Sequence, residues 1–153
     1  MYGAGLRVSE LINLRVRDLK LDEGYGFVRA GKGNKDRIFV LSSLLVGGIK
    51  KIIENEGLGI EDYLFRSNRN GRYNARSVQA IVKKAAKKAH LNYKEIHCHT
   101  LRHSFATHLI ENGYSVTEVQ AMLGHQSPET TMVYVHLASP NILNIKSPLD
   151  SLY

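Results

Sequence analysis

The residues most capable of chemistry crowd into one stretch, His97 to His136, which holds six of the seven histidines. Arg102 stands between His99 and His103, His125 follows a glycine, and Tyr134 comes just before the end of the stretch. Two chemistries compete for such a set. The first is metal binding, since His99 and His103 have the i, i+4 spacing of helical zinc ligands. The hydrolytic zinc motif, however, needs a glutamate beside the first histidine, and that position is Thr100. No cysteine cluster completes a structural site either, so the expectation is no metal and no cofactor. The second is phosphoryl transfer, which needs cations on the non-bridging oxygens, a nucleophile and an acid for the leaving oxygen. Arginines, histidines, a lysine and a tyrosine supply all of these. Tyr134 is the candidate nucleophile. A free phenol ionises near pH 10, so forming the phenolate at pH 7 costs roughly 4 kcal/mol, which neighbouring guanidinium groups reduce.

Three short helices are expected to carry this stretch. Leu101, Phe105, Leu109 and Ile110 recur at helical spacing, and Gly113 ends that helix. Ser115 and Glu118 form a capping box for a second helix, which Gly124 stops. Ser127-Pro128 opens a third, with proline at its first position. Further upstream, Val8, Leu11, Ile12 and Leu14 suit a short amphipathic helix with Arg7 at its start. An arginine there opposes the helix dipole, which points to an anionic task. Leu19–Leu21, Tyr25–Ala30 and Arg37–Leu41 read as a small antiparallel sheet punctuated by glycines. The turn after the second strand puts Lys32 and Lys35 at a hairpin tip. Gly26, Gly31 and Lys32 stand at phosphate-loop spacing, but Gly33 replaces the magnesium-binding hydroxyl and a strand follows instead of a helix, which excludes nucleoside triphosphate binding.

Ser42 or Ser43 caps a helix to about Glu56, with Leu45, Ile49, Ile52 and Ile53 inward. Tyr63–Arg66 is extended, and 67–71 is a turn. A helix from about Arg76 to Ala89 is expected to face inward with Val78, Ile81, Val82, Ala85 and Ala89. Its Lys83, Lys84, Lys87 and Lys88 would stand on the exposed side, where a phosphate backbone could lie along them. The expected class is α+β, mainly helical with a small three-stranded antiparallel sheet.

The whole chain fits this reading. It has 153 residues, enough for one domain with its own core. A charged fraction of 23% is ordinary for a globular protein, but the balance is basic: 21 Lys and Arg against 14 Asp and Glu, net +7. A polyanion, nucleic acid first, is the expected partner. No apolar run is long enough to span a membrane, no signal-peptide pattern opens the chain, and the lone Cys98 suits a reducing compartment, so a cytoplasmic location is expected.

The motifs carry a resemblance. H-T-L-R-H-S-F-A-T-H-L from His99 to Leu109, L-G-H ending at His125 and T-T-M-V-Y-V-H ending at His136 resemble the tyrosine recombinase (phage integrase) family. G-L-R-V-S-E-L from Gly5 and G-K-G-N-K-D-R from Gly31 to Arg37 match its other two motifs, in the family's order. The pattern is most similar to the Xer-type members that resolve chromosome dimers. The resemblance implies that Arg7 and Arg102 bind the scissile phosphate, that His99 handles the nucleophile's proton, and that Lys32 protonates the departing 5′ oxygen. It implies that His125 hydrogen-bonds the phosphate and that Tyr134 forms a 3′-phosphotyrosyl link, without metal or ATP. Double-stranded DNA is the implied partner, with Lys35, Lys83, Lys84, Lys87 and Lys88 as backbone contacts.

Residues 1–138 would be the catalytic domain, without the N-terminal helical, DNA-clamping domain of the family. Residues 139–153 would be a tail whose Ile142, Leu143 and Ile145 dock on a neighbouring protomer or on their own domain. A homo-tetramer on paired sites is implied for the full-length context and a monomer for this chain, which is expected to bind DNA weakly and cleave slowly. Two rival functions share the residues: type IB topoisomerase relaxation, and a non-catalytic DNA-binding fragment.

Overall fold

The computed structural model describes residues 1–29, 36–67, 71–124 and 146–151. The chain opens with a turn into α1 (Val8–Asn13), then a 3-10 turn (Val16–Asp18) and strands β1 (Leu19–Lys20), β2 (Tyr25–Val28) and β3 (Arg37–Val40). Helix α2 (Ser43–Asn55) follows. The short strands β4 (Arg66–Ser67) and β5 (Gly71–Arg72) precede helices α3 (Ala75–Lys88), α4 (Cys98–Glu111) and α5 (Val116–Leu123). A second 3-10 turn covers Pro148–Ser151. This is the expected helical fold with a small antiparallel sheet.

Strands β1, β2 and β3 pair antiparallel in that order, with Gly26 opposite Phe39 and Val28 opposite Arg37. Gly26 is required here, because a Cβ would lie 2.5 Å from the Phe39 ring. Alternation along a strand sends neighbours to opposite faces. Phe39 accordingly joins Leu6, Leu14, Val28, Ile49 and Leu64 in one core, while Val40 joins Phe105, Leu109, Val119, Met122 and Leu123 in the other. The sheet therefore sits between α2 on one side and the α4–α5 pair on the other. Arg37 shares the face of Phe39 and Val28, so its side chain starts out directed inward.

The segment expected to be simply extended has a partner. Arg15 pairs with Tyr63, and Leu64, Val16 and Arg17 exchange backbone bonds with Leu14, Asp62 and Ile60. The Arg15 guanidinium lies over the Tyr63 ring at 4.5 Å. The predicted turn at 67–71 belongs to the β4–β5 hairpin, whose residues 68–70 lie outside the described set.

The inward face of α3 differs from expectation. Val78 and Ala86 are buried, whereas Ile81 is 52% exposed and Ala85 and Ala89 are exposed. Gln79 sets this orientation. Its Oε1 accepts from the Cys98 N–H at 2.9 Å and its Nε2 donates to the Ile96 carbonyl, tying α3 to the start of α4. A polar side chain thus decides which stripe of an alanine-rich helix faces in. Lys84, Lys87 and Lys88 are exposed as expected, and Lys83 is half-buried. The predicted third helix of the histidine-rich stretch, and Ile142, Leu143 and Ile145, lie outside the described residues.

Residues 146–151 pack on their own domain. Ser147 is buried and donates to the Gly3 carbonyl at 3.0 Å. Asp150 accepts from the hydroxyls of Ser42 and Ser43 at 2.7 and 3.0 Å, at the N-terminus of α2. A carboxylate there complements the helix dipole. Burial works against the Asp150 charge, but these hydroxyl bonds and the N–H groups of Ser43 and Leu44 hold its pKa below the usual value.

Candidate active site

Gly5, Leu6 and Arg7 lead the chain into α1. Gly5 adopts a left-handed conformation (φ +58°), and a Cβ on it would lie 2.6 Å from Phe105 Cε1. Only glycine fits the turn under that ring. Leu6 is buried, and Arg7 then stands at the head of α1. A cation there is unfavourable, and Glu10 answers it from the first turn. Its Oε2 accepts the Arg7 backbone N–H at 2.7 Å, and its Oε1 accepts Arg7 Nη1 at 2.7 Å.

Glu10 does not face solvent. Its side chain is 5% exposed, and two more guanidinium groups converge on it. Arg37 Nη2 donates to Glu10 Oε2 at 2.6 Å, and Arg102 Nη1 lies 3.6 Å from the same oxygen. Three arginines, one capping α1, one from β3 and one from α4, thus share one buried carboxylate.

The opposite side of the cluster is the C-terminal end of α5. The last carbonyls of a helix lack intrahelical partners and attract cations. Here three consecutive ones are taken, each by a different arginine. Arg37 Nη1 donates to Met122 at 2.7 Å, Arg102 Nη2 to Leu123 at 2.6 Å, and Arg7 Nη2 to Gly124 at 3.4 Å. Arg102 Nη1 also donates to the Gly5 carbonyl. Gly124 ends α5 in the left-handed region (φ +63°), and the next residue in sequence is His125.

One negative charge among three positive ones leaves the site electropositive. Burial first, then the Arg7 and Arg37 charges, pull the Arg102 guanidinium down to about 10, with Glu10 opposing them. Arg37 is lowered as well, chiefly by burial. Burial pushes the Glu10 carboxyl up, but the Arg37 charge and the bonds from Arg7 and Arg37 outweigh it, and its pKa stays below the ordinary 4.5. With three guanidinium groups against one carboxylate, the chemistry of the cluster invites a further anion. Arg7 is the most open of them: its side chain is 26% exposed, against 10% for Arg37 and 6% for Arg102, and its bond to Gly124 is the longest of the three.

The other expected residues fall in different places. His99 is exposed on the first turn of α4, one turn ahead of the buried Arg102. Among the described residues no group of three or more His, Cys, Asp and Glu is placed to hold a metal ion. Lys32, Lys35, His125 and Tyr134 lie outside the described residues. Both flanks of the β2–β3 connection are nevertheless tied down: Arg29 Nε donates to the buried Asp18 at 2.7 Å, and Arg37 reaches Glu10 and Met122.

Glu10 and Arg37 are absent from the residue set read from sequence. Two signals pointed to them. Glu10 follows Arg7 by one helical turn, and Arg37 alternates in phase with Phe39.

The model of the phage integrase family matches residues 1–140. The chain belongs to the phage integrase family. It is 39% identical over 145 residues to the tyrosine recombinase XerA of Pyrococcus horikoshii, covering 93% of this chain and 50% of that protein. It is 40% identical over 150 residues to the tyrosine recombinase XerC of Pelobacter propionicus, covering 95% of this chain and 48% of that one. The chain therefore spans about half the length of the curated relatives it matches. Among solved structures, the XerA recombinase superposes with a TM-score of 0.74 at 34% identity, covering 99% of this chain and 54% of the other. A pre-cleavage complex of the XerH site-specific recombinase with its difH substrate superposes at 0.72 and 26% identity, covering 94% and 42%. The fold is that of tyrosine recombinase catalytic domains, and no helix among the described residues is long and apolar enough to cross a membrane.

Proposed function

We propose that this chain is the DNA-cleaving domain of a site-specific tyrosine recombinase. The reading is carried by one observation: Arg7 and Arg102, distant in sequence, converge on Glu10 where α5 hands the chain to His125. In the proposed reaction the scissile phosphate of double-stranded DNA docks against Arg7 and Arg102, with His125 adding a hydrogen bond. The Tyr134 hydroxyl attacks phosphorus as His99 takes its proton. The bond to the 5′ oxygen breaks, and Lys32 donates the proton that makes it a 5′-hydroxyl. The product is a 3′-phosphotyrosyl link, which conserves the phosphodiester bond energy. A new 5′-hydroxyl reverses the steps, so strands are rejoined without ATP, metal or cofactor. The cations act on charge that grows in the pentacoordinate transition state, where preorganised donors are most effective.

Lys35 and the exposed lysines of α3 (Lys84, Lys87 and Lys88, with Lys83 beside them) follow the flanking backbone. In the full-length context the domain works as a tetramer on paired sites, and alone as a monomer. The test is covalent capture from a pool of nicked duplexes with a randomised central segment. A denaturant-resistant adduct is expected with the wild-type chain and none with Tyr134→Phe. An adduct that persists in Tyr134→Phe removes Tyr134 as nucleophile, and no wild-type adduct across the pool favours a non-catalytic DNA-binding role.

A further inference from the structure

Arg37 is the arginine of the cluster to which the resemblance gives no role. Its two Nη groups point to different parts of the chain: one to Glu10 Oε2 at 2.6 Å, the other to the Met122 carbonyl at 2.7 Å. The stem also packs on the end of α5, since a Cβ on Gly124 would stand 2.6 Å from Arg37 Cδ and 3.1 Å from its Nε. That Nε is buried and has no hydrogen-bond partner among the described residues. The side chain is thus committed to the protein interior. A planar fork holds two acceptors at a fixed separation, which a lysine ammonium on a flexible stem does not.

We propose that Arg37 is a positioning residue for DNA cleavage: without touching the phosphate, its fork fixes the spacing between Glu10, which orients Arg7 and Arg102, and the exit of α5, from which the chain runs into His125. The inference rests on the cleavage chemistry proposed above. It places the effect of Arg37 on the phosphate-binding side of the reaction and not on protonation of the leaving oxygen. Sub-ångström changes in this spacing act on the transition state more than on the affinity for duplex.

The experiment uses the duplexes that the wild-type chain captures from the randomised pool. Adduct formation is followed in single turnover at saturating protein, and binding by fluorescence anisotropy, for Arg37→Lys and Arg37→Gln. Arg37→Lys retains a buried charge opposite Glu10 and carries the test alone if Arg37→Gln does not fold. Expected is a rate roughly 100-fold lower for both with duplex affinity within about threefold of wild type, the signature of a misplaced catalytic group. A second substrate replaces the bridging 5′ oxygen with sulfur, which leaves without needing a proton. It is expected to leave the variants as slow, relative to wild type, as before. Arg37→Lys cleaving at the wild-type rate overturns the proposal, as does a parallel loss of affinity and rate. Rescue by the sulfur substrate also overturns it, by moving the role to the leaving group. Failure of the wild-type chain to form any adduct overturns the cleavage reading itself, and this inference with it.

Discussion

Glu10 is the residue on which the site turns. A buried carboxylate is tolerated only when it is paired, and this one holds two guanidinium groups and a backbone N–H by hydrogen bonds, with a third guanidinium close by. Replacing it by glutamine leaves three cations without their counter-charge, and breaking a buried pair in this way costs about 3–5 kcal/mol. The effect depends on pH with a definite sign. The folded-state pKa of Glu10 lies below its ordinary 4.5, so its contribution is fully present above that value and is lost as pH falls through the folded pKa. Urea unfolding at pH 7 should show the full deficit of Glu10→Gln, and well below pH 4.5 a smaller one, because the unfolded wild-type chain there takes up the proton that the folded carboxylate resists. An equal deficit at both pH values would remove Glu10 as the charge that balances the cluster. The spacing of Glu10 from Arg7 and the strand phase of Arg37 with Phe39 are faint signals in the sequence, too weak to mark either as buried. Charged residues are assigned to the surface by default, and their burial follows from partners on three separate elements that no local window contains.

At the scale of elements, local chemistry was largely legible. Gly113 and Gly124 have the positive φ expected of helix-ending glycines, and Ser115 and Glu118 form the reciprocal cap that their spacing implies. Helix α5 spans only eight residues, too short to persist without its ends. Ser115→Ala should therefore lower stability by about 1 kcal/mol, seen as a lower denaturant midpoint with an unchanged slope. Ser115→Asp, which preserves an N-cap acceptor, should recover most of it. What could not be read was rotation. The apolar positions of α3 allow several inward faces, and the alanines among them contribute too little area to choose. Gln79 makes the choice by bonding across to Ile96 and Cys98, a long-range contact invisible to periodicity. Arg7 and Arg102 were assigned through the motifs that contain them, and their meeting is a property of the tertiary fold.

For the whole molecule, the net charge of +7 and the exposed lysines of α3 bear on affinity more than on chemistry. Each phosphate neutralised by a lysine steepens the dependence of log K on log salt by about 0.9 on duplex DNA. Replacing Lys84, Lys87 and Lys88 together by alanine should flatten that slope by roughly two to three in a salt titration of duplex binding, while the adduct rate at saturation holds. An unchanged slope would place the duplex on another face of the domain. The packing of residues 146–151 has a further consequence, best put in polymer terms. Gly124 is gripped by the arginine cluster, and Lys146 is held by its N–H on the Tyr114 hydroxyl just ahead of the buried Ser147. The described positions on either side of residues 125–145 are thus both anchored to the domain. Tyr134 stands ten positions from one anchor and twelve from the other, a reach of at most roughly 35 and 40 Å. A phosphate beyond both spans could meet the proposed nucleophile only if an anchor were released, so the strength of the Asp150 and Ser147 contacts bounds the reach of Tyr134.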